Sequence, residues 1–201
     1  LYAFKNEKIN DSIGVIVNIG HNITTVSLFN KGIIVKNSIL QMGGSNITND
    51  LSYIFKLDNL DAEMVKEKFA VASSNYASCN DIIEIKNIKL NQKEVSEVVE
   101  SRLDEILTFV KKEIFSLTDK QISYIIVTGG TVNMNCFDVE LKKILGDNIS
   151  IGKVKMLGAT ENRYSSVIGN VVYYINKLKL KGENSTMVDS TNETILSSPK
   201  K

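Results

Sequence analysis

The sequence predicts an α/β fold, in which strands and helices share one layered architecture. Three apolar runs of strand length open the chain and are joined by two tight turns, which predicts three consecutive antiparallel strands. Further strand-like runs then alternate with stretches in which apolar residues recur at helical spacing. Such an alternation of elements indicates an α/β protein.

The opening strands are predicted over residues 12–18, 24–29 and 33–41, where β-branched residues predominate. The first connection is the polar bend "NIGHNITT". The second is the turn Asn30-Lys31-Gly32, in which glycine can adopt the positive φ that a hairpin needs.

Two helices and a hairpin are predicted next. A helix is expected over residues 46–55, with Ser45 as its N-cap, and a short charged helix over residues 62–69. A weak pair of strands is expected within residues 81–90.

The longest predicted helix begins after Asn91, which together with Glu94 is similar to a capping box, and ends near Leu117. Its apolar stripe consists of Val95, Val98, Val99, Ile106, Val110, Ile114 and Leu117. Arg102 interrupts this stripe. Either its stem packs on the stripe while its head pairs with Glu105 at the edge, or its head serves a partner.

The last third of the chain begins with a buried-type strand over residues 123–128, which ends in Gly129-Gly130 and leads into a helix. A strand over residues 149–155 and a helix over residues 165–178 follow. Residues 179–201 are rich in Ser, Thr and Asn without an amphipathic period, which predicts a disordered tail.

The composition excludes several classes of protein. Lys and Arg number 24 and Asp and Glu 23 in the 201 residues, so no global field favours nucleic acid. Cys79 and Cys136 form no C-x-x-C pair and His21 is the sole histidine, so no metal site and reduced, cytoplasmic thiols are expected. No run is long enough to span a membrane. The first residue, Leu1, suggests a piece of a longer protein.

Two glycine turns, "NIGHNITT" and "TGGTVN", each follow a buried strand. Glycines at such a point let backbone N–H groups approach a phosphate that a Cβ would exclude. Neither turn matches the P-loop or the G-x-G-x-x-G pattern. Taken singly, each is equally compatible with an ordinary turn whose polar side chains satisfy their own backbone.

Six motifs stand in a fixed order along residues 13–176: "NIGHNITT", "QMGGSNITNDLS", "AEMVKEKFA", "SRLDEIL", "IIVTGGT" and "SSVIGNVVYY". Their order and spacing resemble the C-terminal half of the bacterial cell-division family FtsA, which belongs to the actin-like ATPases. The resemblance implies one lobe of an actin-like (ribonuclease H-like) fold, with a mixed sheet flanked by helices. Residues 1–44 and 122–178 would form the core subdomain 2A, and residues 45–121 the inserted α/β subdomain 2B.

The resemblance also implies half of an ATP site in the cleft between two lobes. Carried over by position, the residues facing the β- and γ-phosphates are Gly20, His21, Asn22 and Thr24. Those on the ribose and adenine side are Glu63 and Lys66, and those packing on the adenosine are Gly129, Gly130 and Thr131.

Two departures from the family pattern concern the first turn. Asn18, the tenth residue that the resemblance assigns to the nucleotide site, stands where the family usually has an Asp that positions Mg²⁺ through water, and a neutral amide lacks the charge that a hard cation prefers. His21 and Asn22 stand where the family usually has two glycines. We therefore expect ATP binding with at most weak hydrolysis, and we assign no catalytic residue and no metal ligand.

The family's subdomain 2B receives the acidic C-terminal tail of the tubulin-like GTPase FtsZ, and the resemblance assigns this contact to Arg102 and Glu105. It also implies self-association into filaments, and attachment to the inner face of the membrane at the division site through a segment not in this chain. The open edges of a single lobe would expose apolar surface and favour self-association as well.

The leading functional hypothesis is a cell-division adaptor, an ATP-binding scaffold that links the division ring to the membrane. One alternative is a fragment of a sugar or acetate kinase of the same superfamily. The other is an actin-like scaffold of pilus assembly or of rod-shape filaments.

Overall fold

The computed structural model describes residues 2–4, 9, 11–152, 154 and 161–180. Its strands are β1 (Ile13–Ile19), β2 (Thr24–Asn30), β3 (Ile33–Leu40), β4 (Ile82–Ile85), β5 (Ile88–Asn91), β6 (Tyr124–Thr128) and β7 (Ile149–Ile151). Its α-helices are α1 (Gly44–Phe55), α2 (Asn59–Lys68), α3 (Gln92–Leu117), α4 (Phe137–Leu145) and α5 (Ser165–Leu180). Single 3-10 turns lie at Tyr2–Phe4, Ser74–Tyr76, Thr131–Asn133 and Asn162–Tyr164.

The main sheet has five strands in the order β3-β2-β1-β6-β7. Strands β1, β2 and β3 pair antiparallel, as their tight connections predict, whereas β6 pairs parallel with β1 and β7 parallel with β6. The sheet is therefore mixed. In the parallel pair, Asn18 lies beside Thr128, so the two glycine turns that follow these strands leave the sheet next to each other.

One hydrophobic cluster joins the sheet to the helices. It includes Val15, Val17 and Val26 from the strands and Ile47 and Leu51 from α1. From α3 it includes the buried residues Val95, Val99, Leu103, Ile106, Leu107, Val110, Ile114 and Leu117. The cluster thus crosses the predicted boundary between the core and the inserted subdomain, and that boundary stays a prediction.

Helix α3 is the longest helix described and contacts α1, α4, β2 and β3. Its N-cap is Asn91, as predicted, whose side chain accepts a hydrogen bond from the backbone N–H of Lys93. At the other end, Lys36 Nζ of β3 donates to the carbonyl of Leu117 at 2.9 Å and satisfies one of the orphan C-terminal acceptors. Both ends of helix α3 are therefore held, one by its N-cap and the other by strand β3.

Three local predictions are corrected. Helix α1 is capped by Gly43 rather than Ser45: the N–H of Gly43 donates to the side chain of Asn46 at 2.9 Å. Helix α2 begins at Asn59, three residues earlier than expected, because the side chain of Asp58 accepts from the N–H of Asp61. Helix α5 extends to Leu180, two residues into the predicted tail, whose remainder lies outside the described residues.

The β7 prediction is confirmed only in part, because the strand ends at Ile151 and residues 153 and 155 lie outside the described residues. The weak hairpin of β4 and β5 is confirmed as a separate two-stranded sheet.

Candidate functional site

The parallel pairing of β1 and β6 brings both predicted glycine turns to one edge of the sheet. Gly129 has φ +110°, and a Cβ there would lie 2.2 Å from the carbonyl oxygen of Ile19. No side chain fits that distance, so this position requires glycine. The hydroxyl of Thr131 also donates to the carbonyl of Gly20 at 3.4 Å, a long bond that joins the two turns directly.

A third glycine turn, which contains the pair Gly43-Gly44, packs against the first turn. The N–H of Gly44 donates to the carbonyl of Gly20 at 2.9 Å, and the N–H of Ser45 donates to the carbonyl of His21 at 2.7 Å. A Cβ on Gly43 would lie 2.6 Å from that same His21 oxygen. The N-terminus of α1 therefore holds the "NIGHNITT" bend. Its N–H groups at Gly44 and Ser45 are already hydrogen-bonded to that bend.

The bend itself is closed by the N–H of Gly20, which donates to the carbonyl of Ile23 at 3.0 Å. Thr24 lies beneath it, fully buried, and its hydroxyl donates to the carbonyl of Met42 at 2.8 Å. Thr24 thus supports the bend from below. His21 is 60% exposed at the tip of the bend.

A pocket of about 550 Å³ lies where the three turns meet helix α2. Eight of the ten residues predicted to contact nucleotide line it: Asn18, Gly20, His21, Glu63, Lys66, Gly129, Gly130 and Thr131. The two exceptions are Thr24, described above, and Asn22, which is exposed outside the lining. Six further lining residues were not predicted: Gly44, Glu67, Lys68, Asn133, Met134 and Arg163. A pocket of this volume fits a nucleotide-sized ligand.

Helix α2 contributes a charged cluster to the pocket wall. Lys66 is only 6% exposed, and its Nζ donates to Glu63 Oε2 at 2.6 Å, to Thr48 Oγ1 at 2.9 Å and to the carbonyl of Gly44 at 3.2 Å. Burial raises the pKa of Glu63, but the hydrogen bonds from Lys66 and Thr48 outweigh it, so that the pKa lies below its usual value. Glu63 is therefore a carboxylate at neutral pH, and its Oε1 lies 4.0 Å from His21 Nδ1.

The groups at the end of β1 are neutral. The amide of Asn18 donates to the hydroxyl of Ser166 at 3.4 Å, and the hydroxyl of Thr128 donates to that of Ser165 at 2.9 Å. Both contacts join the edge of the sheet that carries the two glycine turns to the first turn of α5. Asn18 thus offers an amide oxygen rather than a carboxylate to a cation. Among the described residues that line the pocket, the carboxylates are Glu63 and Glu67, both on helix α2.

Arg102 does not lie on the buried stripe of α3, because Leu103 and Leu107 occupy it instead. Its Nε and Nη2 donate to the two carboxylate oxygens of Asp50 in α1, at 2.5 and 2.9 Å, and its Nη1 pairs with Glu105. The guanidinium is therefore committed within the chain. The predicted ion pair with Glu105 is present, but Arg102 lies off the stripe on which its stem was expected to pack. Its second partner, Asp50, was not predicted.

A second charged cluster joins α3 to α4. Lys143 Nζ lies 2.9 Å from Glu100, 2.9 Å from Glu140 and 3.2 Å from Asp104. These three carboxylates lie close enough together to suit a cation, and the ammonium group of Lys143 already fills that role. Burial raises the pKa of Glu100, but the hydrogen bonds from Ser74 and Lys143 outweigh it and lower the pKa to about 2.

In the described part of the chain, no helix combines the length and apolar character needed to cross a bilayer.

Comparison with known proteins identifies relatives by sequence. The family model described as "Cell division protein FtsA" matches residues 15–169. FtsA of Bacillus subtilis is 28% identical over 187 residues, which cover 89% of this chain and 42% of that protein. FtsA of Pseudomonas aeruginosa is 28% identical over 127 residues, covering 59% and 30%. The chain thus spans less than half the length of these relatives.

Solved structures are similar in fold. MreB5 of Spiroplasma citri bound to AMPPNP has a TM-score of 0.70 at 16% identity and covers 90% of this chain and 58% of its own. The ethanolamine utilization protein EutJ of Carboxydothermus hydrogenoformans has a TM-score of 0.61 at 21% identity, with coverage of 86% and 53%. These likenesses confirm the predicted actin-like fold. Since the family model matches more than half of its residues, the chain belongs to the FtsA family of cell-division proteins.

Proposed function

We propose that this chain is the nucleotide-binding half of an actin-like scaffold of bacterial cell division, and that its ligand is ATP. The observation that carries the proposal is the meeting of three glycine turns around one pocket of about 550 Å³, opposite the charged helix α2. Because glycine carries no Cβ atom, the phosphate chain of a ligand can approach the backbone N–H groups of these turns closely.

The predicted contact residues divide by their chemistry. The backbone of His21, with that of Asn22 beside the pocket, would contact the phosphates. The carboxylate of Glu63 would accept hydrogen bonds from ribose hydroxyls, and Gly129, Gly130 and Thr131 would pack on the adenosine. Among solved structures of this fold, MreB5 is bound to ADP in one case and to AMPPNP in another, which supports a nucleotide ligand.

We propose slow or absent hydrolysis, since Asn18 offers Mg²⁺ only a neutral oxygen. Any Mg²⁺ would then be held mainly by the phosphates and by water. For the whole protein, the expected result is micromolar ATP binding with turnover barely above background. A turnover near the enzyme median of roughly 10 per second would contradict the scaffold function.

Titration of a fluorescent ATP analogue with this chain tests the nucleotide site. A Cβ on Gly130 would meet only Arg163, at 3.8 Å, so Gly130→Val is expected to fold and to crowd the ligand. We expect saturable binding that Gly130→Val and Lys68→Glu each weaken at least tenfold. Lys89→Glu, the same charge change at an exposed site outside the pocket, should leave affinity unchanged. Equal losses for both lysine variants would refute the site.

We further propose that the whole protein assembles into filaments, binds the FtsZ C-terminal tail through residues 45–121, and acts at the inner face of the membrane at the division site. Membership of the FtsA family supports these roles. The assignment of the tail to Arg102 and Glu105 needs revision, because an acidic tail would have to displace Asp50 from the guanidinium.

Fluorescence anisotropy of a labelled FtsZ tail peptide tests this partner. We expect saturable binding that survives Arg102→Glu, since that guanidinium is already paired. Loss of binding in Arg102→Glu, and its recovery in the charge swap with Asp50→Arg, would restore Arg102 as the contact. Absence of binding by the folded chain would remove the tail as a partner of this half.

A further inference from the structure

The bend between β1 and β2 offers few free backbone donors to a phosphate. The N–H groups of Gly20, Gly44 and Ser45 already donate to carbonyls of the chain. Among the described residues, no backbone hydrogen bond uses the N–H of His21 or Asn22. Two neutral N–H groups do not balance the charge of a nucleoside triphosphate, so a cation must supply the rest.

The residues that line the pocket do not fit a divalent cation as that counter-charge. Glu63 is one of their two carboxylates, and its Oε2 accepts from Lys66 Nζ at 2.6 Å. Asn18 contributes only a neutral amide. This leaves Glu67, a single exposed carboxylate, whereas a hard cation prefers several oxygen ligands with negative charge. The structure therefore favours a cation of the protein itself.

His21 occupies the position for such a cation. It lines the pocket at the tip of the bend, and its Nδ1 lies 4.0 Å from Glu63 Oε1, so the ring lies between the bend and helix α2. Neither His21 nor Asn22 has a positive φ, so the bend carries both side chains without left-handed strain. A protonated imidazole carries a full charge and donates from both nitrogens, and histidine gains that charge within the range of pH 5 to 8.

The charged groups around His21 come from helix α2 and from the 3-10 turn before α5. Those that line the pocket are Glu63, Lys66, Glu67, Lys68 and Arg163. Lys66 is paired with Glu63, and Arg163 is paired at 2.5 Å with Glu161 outside the lining. The charges of Glu67 and Lys68 cancel. The charges of the pocket are thus balanced while His21 is neutral, and protonation of His21 makes the pocket positive.

We propose that the side chain of His21 binds the terminal phosphates of a nucleotide that enters the pocket without Mg²⁺, and that its protonated imidazole supplies the counter-charge. The inference rests on the nucleotide site proposed above and adds its regulation by pH. The charged ring is present at the acidic end of the histidine titration, so binding tightens as the pH falls and weakens as it rises. By linkage, bound phosphates stabilise the protonated ring to the same extent.

The first test observes His21 directly. It is the sole histidine, so the untagged chain gives one imidazole Hε1 signal in its proton NMR spectrum. The signal is titrated from pH 5 to pH 9 in EDTA, with and without inorganic tripolyphosphate. We expect tripolyphosphate to move the titration midpoint upward by at least about half a pH unit, which corresponds to about threefold tighter binding by the protonated form.

The matched control is the double variant His21→Gln with Lys89→His, whose single histidine lies at an exposed position outside the pocket. Its midpoint should stay in place when tripolyphosphate is added. An unmoved midpoint in the unmodified chain would overturn the proposal. Equal shifts in both chains would also overturn it, in favour of general electrostatic attraction.

The second test measures affinity for the fluorescent ATP analogue in EDTA and in Mg²⁺. We expect binding in EDTA to be at least as tight as in Mg²⁺. Because the terminal phosphate also titrates near pH 6, the unmodified chain is compared with His21→Gln at each pH. The ratio of their affinities should rise at least about threefold from pH 8 to pH 6. His21→Arg, which keeps its charge, should bind tightly at both values. Tenfold tighter binding in Mg²⁺, or a constant ratio, would overturn the proposal.

The two proposals fail in different ways. If the ATP analogue does not bind under any condition while tripolyphosphate still moves the His21 midpoint, the nucleotide site is wrong and His21 remains a polyphosphate-binding residue. If the analogue binds only with Mg²⁺ and the midpoint does not move, the nucleotide site remains and the role of His21 is wrong.

Discussion

Lys66 is the position where a single substitution should reveal most about the pocket wall. Its side chain is only 7% exposed, and its Nζ donates to Glu63, Thr48 and the carbonyl of Gly44 together. Lys66→Met keeps the stem and removes the charge. Glu63 then loses its cation, although its side chain is 31% exposed and regains some water.

Breaking a fully buried ion pair costs roughly 3–5 kcal/mol. The partial exposure of Glu63 places the expected loss near the lower end, at about 3 kcal/mol in the free energy of unfolding. For a chain of this size, that loss corresponds to about 6–12 °C in Tm. Urea titration followed by circular dichroism measures the change.

The matched control is Lys68→Met, two residues further along the same helix, where the side chain is exposed and the expected change is within about 0.5 kcal/mol. Adding Glu63→Gln to Lys66→Met should recover part of the loss, because the unpaired carboxylate is then absent. If Lys66→Met and Lys68→Met destabilise the chain equally, the argument that a buried cation holds α1 to α2 is refuted.

Two further predictions concern stability. Gly129→Ala should destabilise the chain more than Gly146→Ala: both positions have positive φ, which costs of order 1–3 kcal/mol, but only at Gly129 does the new Cβ meet a backbone oxygen, that of Ile19 at 2.2 Å. Thermal unfolding measures both, and equal shifts in Tm would contradict the reasoning. The second concerns acid. The pKa of Glu100 is lowered to about 2, below its usual value of 4.5, so its contribution to stability is complete above pH 4.5 and is lost as the pH falls toward 2. Urea midpoints measured from pH 5 to pH 2.5 should fall, less steeply in Glu100→Gln or Lys143→Met; an unchanged slope in both would contradict the assignment.

Strand positions were predictable because their signal is local. β1 and β2 each lie within one residue of the prediction, since a run of β-branched residues between polar turns admits few alternatives. The cap of α3 was predictable for the same reason, as Asn91 acts on a backbone N–H two residues away.

Contacts between distant residues were not predictable in this way. Asp50 lies 52 residues from Arg102, and nothing in the spacing of either helix joins them. The cap of α1 was misplaced because the N–H groups of Gly44 and Ser45 donate to the carbonyls of Gly20 and His21, a tertiary contact that the local preference for Ser45 as N-cap does not include. Arg163 and Lys68 belong to no sequence motif, so only the folded structure shows that they line the pocket.

The length of α3 has a mechanical consequence. Its 26 residues form a rod of about 39 Å that contacts α1, α4, β2 and β3. A hinge motion between the elements that contact α3 would have to bend this helix or break the contacts of its buried face. We therefore expect the pocket walls to hold their spacing without ligand, so that a nucleotide meets a preorganised surface and little of its binding free energy is lost to ordering.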